Sequence, residues 1–287
     1  MSSNTNSESP ASIEEIILSN DQRSISAIRP SLPVDYCMDA ALYVLERPGT
    51  VLIATGFYIL SGDAVETDGP PGAAAIGRAL ESLGRRVVYV TDAHGTVVVR
   101  AAVGPEAEVV EFPFAGPEES DSIAKTMLAE YEPALLIAIE RCAPDDCGVY
   151  RNHKSVDITA QTAHVDRLFD LHRESVGIGD GGNEVGMGLL EFEISETTGL
   201  PDSPAVTQTA KLVIASVSNW GAWGLLTAMS RIERRDLLPS IDTESERIER
   251  CVEAGAVDGL SGEHVAKIDG FEMDDYFRPL VALRAML

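Results

Sequence analysis

The sequence is poor in basic residues. Its 287 residues include 22 Lys and Arg against 46 Asp and Glu, a formal net charge of −24, and only four of the bases are lysine. No basic patch could dominate the field around so negative a surface, so we expect neither nucleic acid nor an anionic membrane as a partner. Concentrated salt screens the self-repulsion that such a charge causes. The composition therefore predicts a halophilic, cytoplasmic protein, with an ordinary acidic cytosolic protein as the alternative.

Cysteines and long apolar runs are scarce as well. Four cysteines in a chain of this length do not make a disulfide scaffold, and the CAPDDC segment (142–147) lacks a second pair with zinc-site spacing. No stretch approaches the run of roughly 18 apolar residues that spans a membrane. The first residues have neither the basic start nor the apolar segment of a signal peptide. We expect reduced thiols in a soluble chain.

Several catalytic motifs are absent. The sequence has no G-x-x-x-x-G-K-[ST] loop, no H-E-x-x-H and no G-x-S-x-G, so neither ATP use through a P-loop, nor a zinc peptidase, nor a nucleophile-elbow hydrolase is indicated. Gly177, Gly179 and Gly182 formally fit the dinucleotide motif G-x-G-x-x-G. Asp180 lies inside that turn, where its charge would repel a pyrophosphate. We therefore expect no nucleotide cofactor.

Apolar runs alternate with amphipathic segments along most of the chain. VLIATGF (51–57) has no period-2 alternation, which is typical of a strand buried on both faces. This alternation predicts an α/β fold with a mainly parallel sheet flanked by helices, with helical additions at the N- and C-termini. We expect a disordered tail over 1–10 and a single α/β domain over 11–287. The other predicted strands are 85–92, 108–113, 134–141, 175–181 and 209–216; the predicted helices are 11–19, 34–47, 73–84, 120–131, 160–174, 219–232, 242–254 and 277–286, with a hairpin over 263–271.

Polar side chains gather after four of the predicted strands. Parallel strands end at one edge of a sheet, where ligands bind in doubly wound folds. Each residue also has a structural interpretation, because Asp and Asn commonly cap helices and glycines form turns. Their convergence on one edge favours a functional site. The candidates are Glu66 and Asp68 after the first strand, Glu140 and Arg141 after the fourth, Asp180, Gly181, Gly182, Asn183 and Glu184 after the fifth, and Asn219 after the last.

The segment SVGIGDGGNEVGMG (175–188) combines glycines with the carboxylates of Asp180 and Glu184. Glycines allow the backbone to approach a ligand closely, and the carboxylates suit a hard cation or an ammonium group. Mg²⁺ and Mn²⁺ bind carboxylate and water oxygens, while amides at a helix N-terminus hold a carboxylate. The pattern therefore favours a divalent cation, an amino-acid substrate, or both.

Three stretches resemble the D-glutamate cyclase-like family: ETDGPPGA (66–73), GDGGNEVGMG (179–188) and SNWGAWG (218–224). They follow the family's order, and a fourth segment, 139–158, fits loosely. In that segment Cys147 stands where the family pattern has Asp before a glycine, and Pro144 and Arg151 stand where Arg and Tyr are expected. This departure leaves the substrate specificity open.

The resemblance implies conversion of D-glutamate to 5-oxo-D-proline with loss of water. A lyase of this kind needs a base, an acid and stabilisation of an oxyanion. Under this hypothesis Asp180 or Glu184 takes the ammonium proton, and Arg141 or Asn219 pairs with a substrate carboxylate. The other expected groups are the amides of Gly181, Gly182 and Asn183 for a carboxylate or the oxyanion, and the carboxylates of Glu66, Asp68, Glu140, Asp180 and Glu184 for a Mg²⁺ or Mn²⁺ ion.

Two alternatives remain open on the sequence. The same acidic crevice suits a divalent-metal-dependent phosphatase or hydrolase acting on a small anionic metabolite. A non-catalytic amino-acid or anion-binding module would need only the glycine loop and the helix caps, although so many carboxylates oppose an anion. Each interpretation predicts a small-molecule partner. The handedness of the substrate and the formation of a homo-oligomer stay open.

Overall fold

The computed structural model describes residues 11–287, so the tail predicted over 1–10 lies outside the described residues. None of the helices within this range is long and apolar enough to cross a membrane. The helices are α1 (Ile13–Ile17), α2 (Tyr36–Leu45), α3 (Pro70–Ser82), α4 (Thr96–Val103), α5 (Pro117–Tyr131), α6 (Asp166–Leu171), α7 (Glu191–Ser195), α8 (Ser218–Glu233), α9 (Ile241–Glu253), α10 (Met273–Tyr276) and α11 (Arg278–Arg284), with 3-10 turns over Ile25–Ser31, Thr159–Gln161 and Gly188–Leu190. The strands are β1 (Val51–Thr55), β2 (Tyr58–Ile59), β3 (Ala64–Val65), β4 (Val87–Thr91), β5 (Glu108–Glu111), β6 (Leu135–Ile139), β7 (Ser175–Gly179) and β8 (Lys211–Ile214).

Six parallel strands form the central sheet in the order β5-β4-β1-β6-β7-β8. Every residue of β1, β4, β6 and β7 is buried, as their uninterrupted apolar sequences predict. Contacts link α3, α4, α8 and α9 into one helical layer, whereas α5 and α6 pack against each other. The predicted α/β class, a parallel sheet with flanking helices and further helices at both termini, is confirmed.

The chain changes its direction of travel across the sheet at β1. From β1 it runs outward through β4 to β5, and it then returns to β6 on the other side of β1. The loops after β1 and β6 therefore diverge and leave a crevice at the carboxyl ends of the strands, the usual ligand site of doubly wound sheets. The small antiparallel pair β2–β3 leads from β1 to Glu66, beside this crevice.

Both terminal segments pack on α8. Helices α1 and α11 contact each other and α8, and Trp220, Trp223 and Tyr276 belong to the same buried core. The rings of Trp223 and Tyr276 meet edge to face at 5.0 Å. The amide of Ser216, just after β8, donates to the carbonyl of Ile17 (2.9 Å). Burial of these large rings thus holds the two ends of the chain beside the carboxyl end of β8.

The helices of the structure differ from the predicted ones at α4 and α6. Helix α4 was not predicted, since its run of valines is typical of a strand. The helix predicted over 160–174 is reduced to α6 and a short 3-10 turn. Ala163 explains the interruption, because its carbonyl accepts from Arg141 Nη2 (2.7 Å) instead of continuing a helix.

The hairpin predicted over 263–271 is reduced to one antiparallel bridge. A single bridge joins Ile268 and Phe271, with no ladder on either side of it. Asp258 organises this segment instead, since its Oδ1 accepts from the amide of Gly270 (2.7 Å) and its Oδ2 from that of Ser261 (2.9 Å). A side chain thus satisfies two backbone donors at the ends of this segment.

Candidate active site

Carboxylates from four separate chain segments meet at the crevice. Oxygen atoms of Asp68, Asp180 and Asp269 lie within 4.8 Å of one another, and so do oxygen atoms of Glu140, Asp180 and Glu184. Asp180 belongs to both groups and joins them. Each of these side chains is buried. The structure thus brings together acids that lie far apart in the chain.

Glu66 adds a further carboxylate on the side of Asp269. Glu66 is 4% exposed, and its backbone forms a parallel bridge with that of Val257. A Cβ added at Gly259 would lie 1.9 Å from Glu66 Oε2 and 3.1 Å from Asp269 Oδ1. The two carboxylates therefore flank Gly259, whose lack of a side chain makes room for them.

Asp68 and Asn219 cap each other's helices. At the start of α8, Asp68 Oδ1 accepts from the amide of Asn219 (2.8 Å) and Oδ2 from that of Ser218 (2.7 Å). At the start of α3, Asn219 Oδ1 accepts from the amides of Gly69 (3.1 Å) and Gly72 (2.7 Å). The ETDGPPGA and SNWGAWG motifs thus lock two helix N-termini together at the site. For Asn219 this is a capping position, whereas the sequence suggested a contact with substrate.

The glycine loop binds a carboxylate of its own chain. Glu184 Oε1 accepts from the amides of Asp180 (2.9 Å) and Gly181 (2.6 Å), and Oε2 accepts from that of Gly182 (2.7 Å). These amides have no second hydrogen to offer a substrate, which differs from the role expected for Gly181 and Gly182. Glu184 thereby fixes the loop that carries Asp180.

Arg141 holds the loops around the sheet edge together. Its Nη1 donates to the carbonyl of Gly56 (3.0 Å), and its Nη2 donates to Asp92 Oδ2 (2.7 Å) and to the carbonyl of Ala163 (2.7 Å). The residue is 1% exposed. Asn183 likewise donates its side-chain amide to a backbone carbonyl of the loop after β6 (2.9 Å). The structure therefore shows both side chains bonded to the framework of the site.

Arg23, from the segment after α1, covers the buried acids. Its guanidinium pairs with Asp180 Oδ1, and its Nη2 lies 2.5 Å from Asp269 Oδ1. The side chain of Arg23 is 24% exposed against 0% for Asp180. Sequence reasoning missed Arg23, which follows no strand and precedes Asp180 by 157 residues. It also missed Asp269, which fell within the predicted hairpin.

Burial dominates the electrostatics of the cluster. It raises the pKa of Asp68 to about 7 and the pKa of Asp180 well above its usual value. Burial raises the pKa values of Glu66 and Glu140 in the same way, and neighbouring carboxylates add to the effect. Arg23 lowers the pKa of all four groups. Such a cluster retains protons or attracts a cation.

A cavity of about 220 Å³ opens beside the cluster. Arg23, Asp269 and Gly181 contribute to its wall. Ser216 lies on the same wall at 5% exposure, and its hydroxyl finds no hydrogen-bond partner within residues 11–287. Behind Arg23, Asp180 Oδ2 is likewise buried without a described partner. Unsatisfied buried groups are costly, so each of these atoms calls for a further hydrogen-bond partner. The wall is completed by Gln22, His153, Gly199, Pro201 and Leu260.

The donor set fits a hard divalent cation. Both acid groups offer carboxylate oxygens alone, the ligands that Mg²⁺ and Mn²⁺ prefer. Asp180 Oδ2 and Asp269 Oδ2 are buried and accept no hydrogen bond in the described part of the chain. Glu140 has a left-handed φ of +43°, an unusual conformation for a residue other than glycine. Strained backbone of this kind concentrates at functional sites.

The chain is similar to known proteins. The sequence profile described as "D-glutamate cyclase-like, C-terminal" matches residues 13–284. The mitochondrial D-glutamate cyclase of Homo sapiens is 29% identical over 204 residues, which is 64% of this chain and 33% of the human protein. The chain therefore spans about a third of the length of that relative. The crystal structure of an exopolyphosphatase-related protein from Bacteroides fragilis aligns with 88% of this chain and 57% of its own, at 10% identity and a TM-score of 0.42.

Proposed function

The chain belongs to the D-glutamate cyclase-like family, and we propose that it catalyses the dehydration of D-glutamate to 5-oxo-D-proline. The main support is the buried carboxylate cluster beside a cavity of about 220 Å³, covered by the guanidinium of Arg23. Glutamate carries one ammonium group and two carboxylates. Its charges are complementary to the acids and to the guanidinium.

The reaction joins two ends of one molecule. The amine attacks the carbon of the side-chain carboxyl group, a C–N bond forms, a C–O bond breaks, and the oxygen leaves as water. The ammonium group gives up two protons, and both end on the departing oxygen. The site must therefore accept a proton from nitrogen, deliver one to oxygen, and hold the substrate in a folded pose.

Asp180 is the proposed proton acceptor. Its Oδ2 is buried and unpartnered within the described chain, and burial raises its pKa, which makes it a stronger base than an exposed carboxylate. Glu184, the other candidate from the sequence, holds the amide of Asp180 at 2.9 Å. We assign Glu184 to positioning Asp180 and the glycine loop.

Arg23 is the proposed partner of a substrate carboxylate. It now lies between Asp180 and Asp269, where a substrate ammonium would also be attracted. An ammonium that takes over Asp180 releases the guanidinium, which is partly exposed and forms strong paired hydrogen bonds with a carboxylate. This exchange would bring the two charged ends of the substrate to opposite sides of one site.

Glu140 is the proposed donor to the departing oxygen. Burial favours the protonated form of Glu140 by raising its pKa, and the hydroxyl of Ser218 donates to its Oε2 (2.6 Å) and orients it. The free hydroxyl of Ser216 on the cavity wall is available to the developing oxyanion. This role replaces the loop amides, which Glu184 already occupies.

A divalent cation would be held by Asp68, Asp180 and Asp269, or by Glu140, Asp180 and Glu184. Such an ion supplies Lewis-acid polarisation of a carboxyl oxygen when it is bound. Arg23 pairs with oxygens of the first group, so its guanidinium must turn away before a cation is held there.

Proton NMR tests the proposal. D- or L-glutamate is incubated with the protein in concentrated KCl, with and without Mn²⁺ or Mg²⁺, and the signals of 5-oxoproline are followed. We expect conversion of D-glutamate, and conversion of L-glutamate at least roughly tenfold slower. Asp180→Asn should lower kcat by about 10²- to 10⁴-fold while the melting temperature stays nearly unchanged. If D-glutamate is not converted under any of these conditions, or if Asp180→Asn keeps full activity, the proposal is contradicted.

A metal-dependent hydrolase is the second candidate. It is favoured by the two oxygen groups that share Asp180, an arrangement compatible with a pair of metal ions. Phosphate release from small phosphoesters in the presence of Mn²⁺ or Mg²⁺ separates the two functions. Release of phosphate without turnover of either glutamate enantiomer would favour the hydrolase.

A further inference from the structure

Helices α3, α4 and α9 border a second cavity, of about 820 Å³ and open to solvent, which we call the arginine cavity. The chain has 22 basic residues, of which four are lysine and 18 arginine, and four of these arginines line this one space. No acidic residue is found among its described lining residues, although the chain contains 46 Asp and Glu. The lining consists of Arg78, Arg100, Arg247 and Arg250 with Thr243 and the segment 101–105.

The positive charge of the arginine cavity is only partly neutralised. Arg100 and Arg250 donate to backbone carbonyls, and neither forms an ion pair with a residue in the range 11–287. Arg78 forms one long ion pair in the described chain, in which its Nη1 lies 3.4 Å from Glu81 Oε2. Arg247 pairs with the buried Glu244. Several positive charges thus face one space in a chain of net charge −24.

Arg247 supplies a donor that lacks an acceptor. The residue is 5% exposed, and its Nε is buried with no hydrogen-bond partner in the described chain. A buried N–H without an acceptor costs free energy, and more so on a charged group. This unmet donor belongs to an arginine that lines the cavity.

Two of the other guanidiniums donate to carbonyls of α4. Arg78 Nη2 donates to the carbonyl of Val103 (3.3 Å), and Arg250 Nε donates to that of Ala101 (3.1 Å). Each bond uses one of the five N–H groups of an arginine and leaves others available. Guanidinium planes match the oxygens of phosphate groups, with which they form paired hydrogen bonds.

We propose that the arginine cavity is a binding site for a small phosphate-bearing molecule, separate from the acidic site. A long polyanion is excluded because the remaining surface repels it, whereas a small ligand fits within the cavity. The apolar segment 101–105 offers a wall for the non-phosphate part of such a ligand. Arg78 lies eight residues after Pro70, the first residue of α3. At 1.5 Å per residue, about 12 Å of helix separates Arg78 from the end of α3 that adjoins the acid cluster.

Isothermal titration calorimetry with inorganic phosphate, pyrophosphate, ATP and, as a non-phosphate anion, citrate tests this site, in EDTA to remove metal ions. The key variant is Arg100→Gln with Arg250→Gln, since both side chains bond only to backbone carbonyls. The matched control is Arg231→Gln with Arg278→Gln, two exposed arginines outside the cavity whose loss changes the net charge equally. Arg250→Lys, which keeps the charge but loses the planar fork, serves if the double variant does not fold.

We expect the wild type to bind pyrophosphate or ATP, and the Arg100/Arg250 variant to bind at least about tenfold more weakly. The control variant should stay within about twofold of the wild type, and Arg250→Lys should bind about three- to tenfold more weakly. Tighter binding of ATP than of pyrophosphate would identify a nucleotide as the source of the phosphate. No binding by the wild type, equal losses in the control, or citrate binding as tightly as pyrophosphate would overturn the proposal.

Discussion

Arg23 connects the buried acids to the solvent. It is partly exposed, whereas Asp180 and Asp269 behind it are buried, so their charge is balanced by a side chain that has room to move. A charge-assisted hydrogen bond to a substrate carboxylate would use the same guanidinium. Binding of substrate and neutralisation of the acids are therefore linked at one residue.

Substitution of Arg23 tests this link. Loss of a charge-assisted hydrogen bond of about 1.5–3 kcal/mol predicts a rise in KM for D-glutamate of about 10- to 100-fold in Arg23→Gln. Arg23→Lys keeps the charge, so its KM for D-glutamate should lie between those of the wild type and Arg23→Gln. Steady-state kinetics by the NMR assay provide the measurement, with Arg278→Gln as a control for net charge. An unchanged KM in Arg23→Gln would remove Arg23 from substrate binding.

Asp166 provides a pH-dependent term in stability. Burial raises its pKa from 3.8 to about 6, while the hydroxyl of Tyr150 donates to its Oδ1. The folded state therefore holds the proton more tightly than the unfolded state, so the free energy of unfolding falls as the pH rises through this window, by up to about 3 kcal/mol in all. Asp166→Asn keeps an acceptor for Tyr150 and abolishes the ionisation.

Urea unfolding of the wild type and Asp166→Asn at pH 5 and pH 7 measures this term. Because most other titrating groups are common to both proteins, the difference between them isolates Asp166. We expect Asp166→Asn to gain about 1 kcal/mol relative to the wild type between these pH values. A difference that does not change with pH would show that Asp166 titrates alike in the folded and unfolded chains.

At the scale of the elements, the N-termini of α3 and α8 build the site. Gly69 is the residue before α3, with a φ of +96° that only glycine adopts without strain. Its amide bonds to Asn219 (3.1 Å), and a Cβ there would lie 2.7 Å from the Cβ of Glu140 and 2.7 Å from Thr55 Oγ1. The start of α3 thus approaches Glu140 closely because no side chain stands between them.

Comparison of Gly69→Ala with Gly84→Ala tests the close contact between the start of α3 and Glu140. Gly84, just after the other end of α3, has a φ of +80° and no atom within 4 Å of an added Cβ. Gly84→Ala should therefore lose about 1–2 kcal/mol from backbone strain alone. Gly69→Ala should lose at least about 2 kcal/mol more, since crowding adds to the strain, and its kcat should fall as Glu140 shifts. Equal losses in urea unfolding would show that crowding is absent.

At the scale of the whole molecule, charge is distributed unevenly. The net charge is −24, yet the acidic residues at the crevice are buried and the arginine cavity presents positive charge at the other end of α3. Most of the remaining negative charge lies on the surface, where it repels itself and where dissolved salt screens it. A halophilic origin and a cytoplasmic location remain predictions from composition.

Thermal unfolding in KCl tests the effect of this charge. Between 0.1 and 2 M KCl we expect the melting temperature to rise by roughly 5 °C or more, equivalent to about 2 kcal/mol for a chain of this size. Most of the rise should occur below about 1 M, because the screening length is then only about 3 Å. A melting temperature that stays constant or falls over this range would contradict a destabilising role for the surface charge.

The sequence alone determined the sheet, its approximate strands and the identity of most of the acids at its edge. Buried parallel strands are uninterrupted apolar runs, so β1, β4, β6 and β7 are readable from local composition. Residues that follow such strands reach one edge of the sheet by topology. Glu66, Asp68, Glu140 and Asp180 were therefore predictable candidates before any coordinate was known, although their individual roles remain proposals.

Only the tertiary structure showed which hydrogen-bond partners these polar groups have. Glu184, Asn219 and Arg141 carry the same polar atoms as binding residues, but their partners are backbone groups and side chains set by folding. Arg23 and Asp269 come from the two ends of the chain and meet through the packing of α1 and α11 on α8. Long-range packing has no local signature, because contact between distant segments depends on the whole buried core and not on the residues beside them.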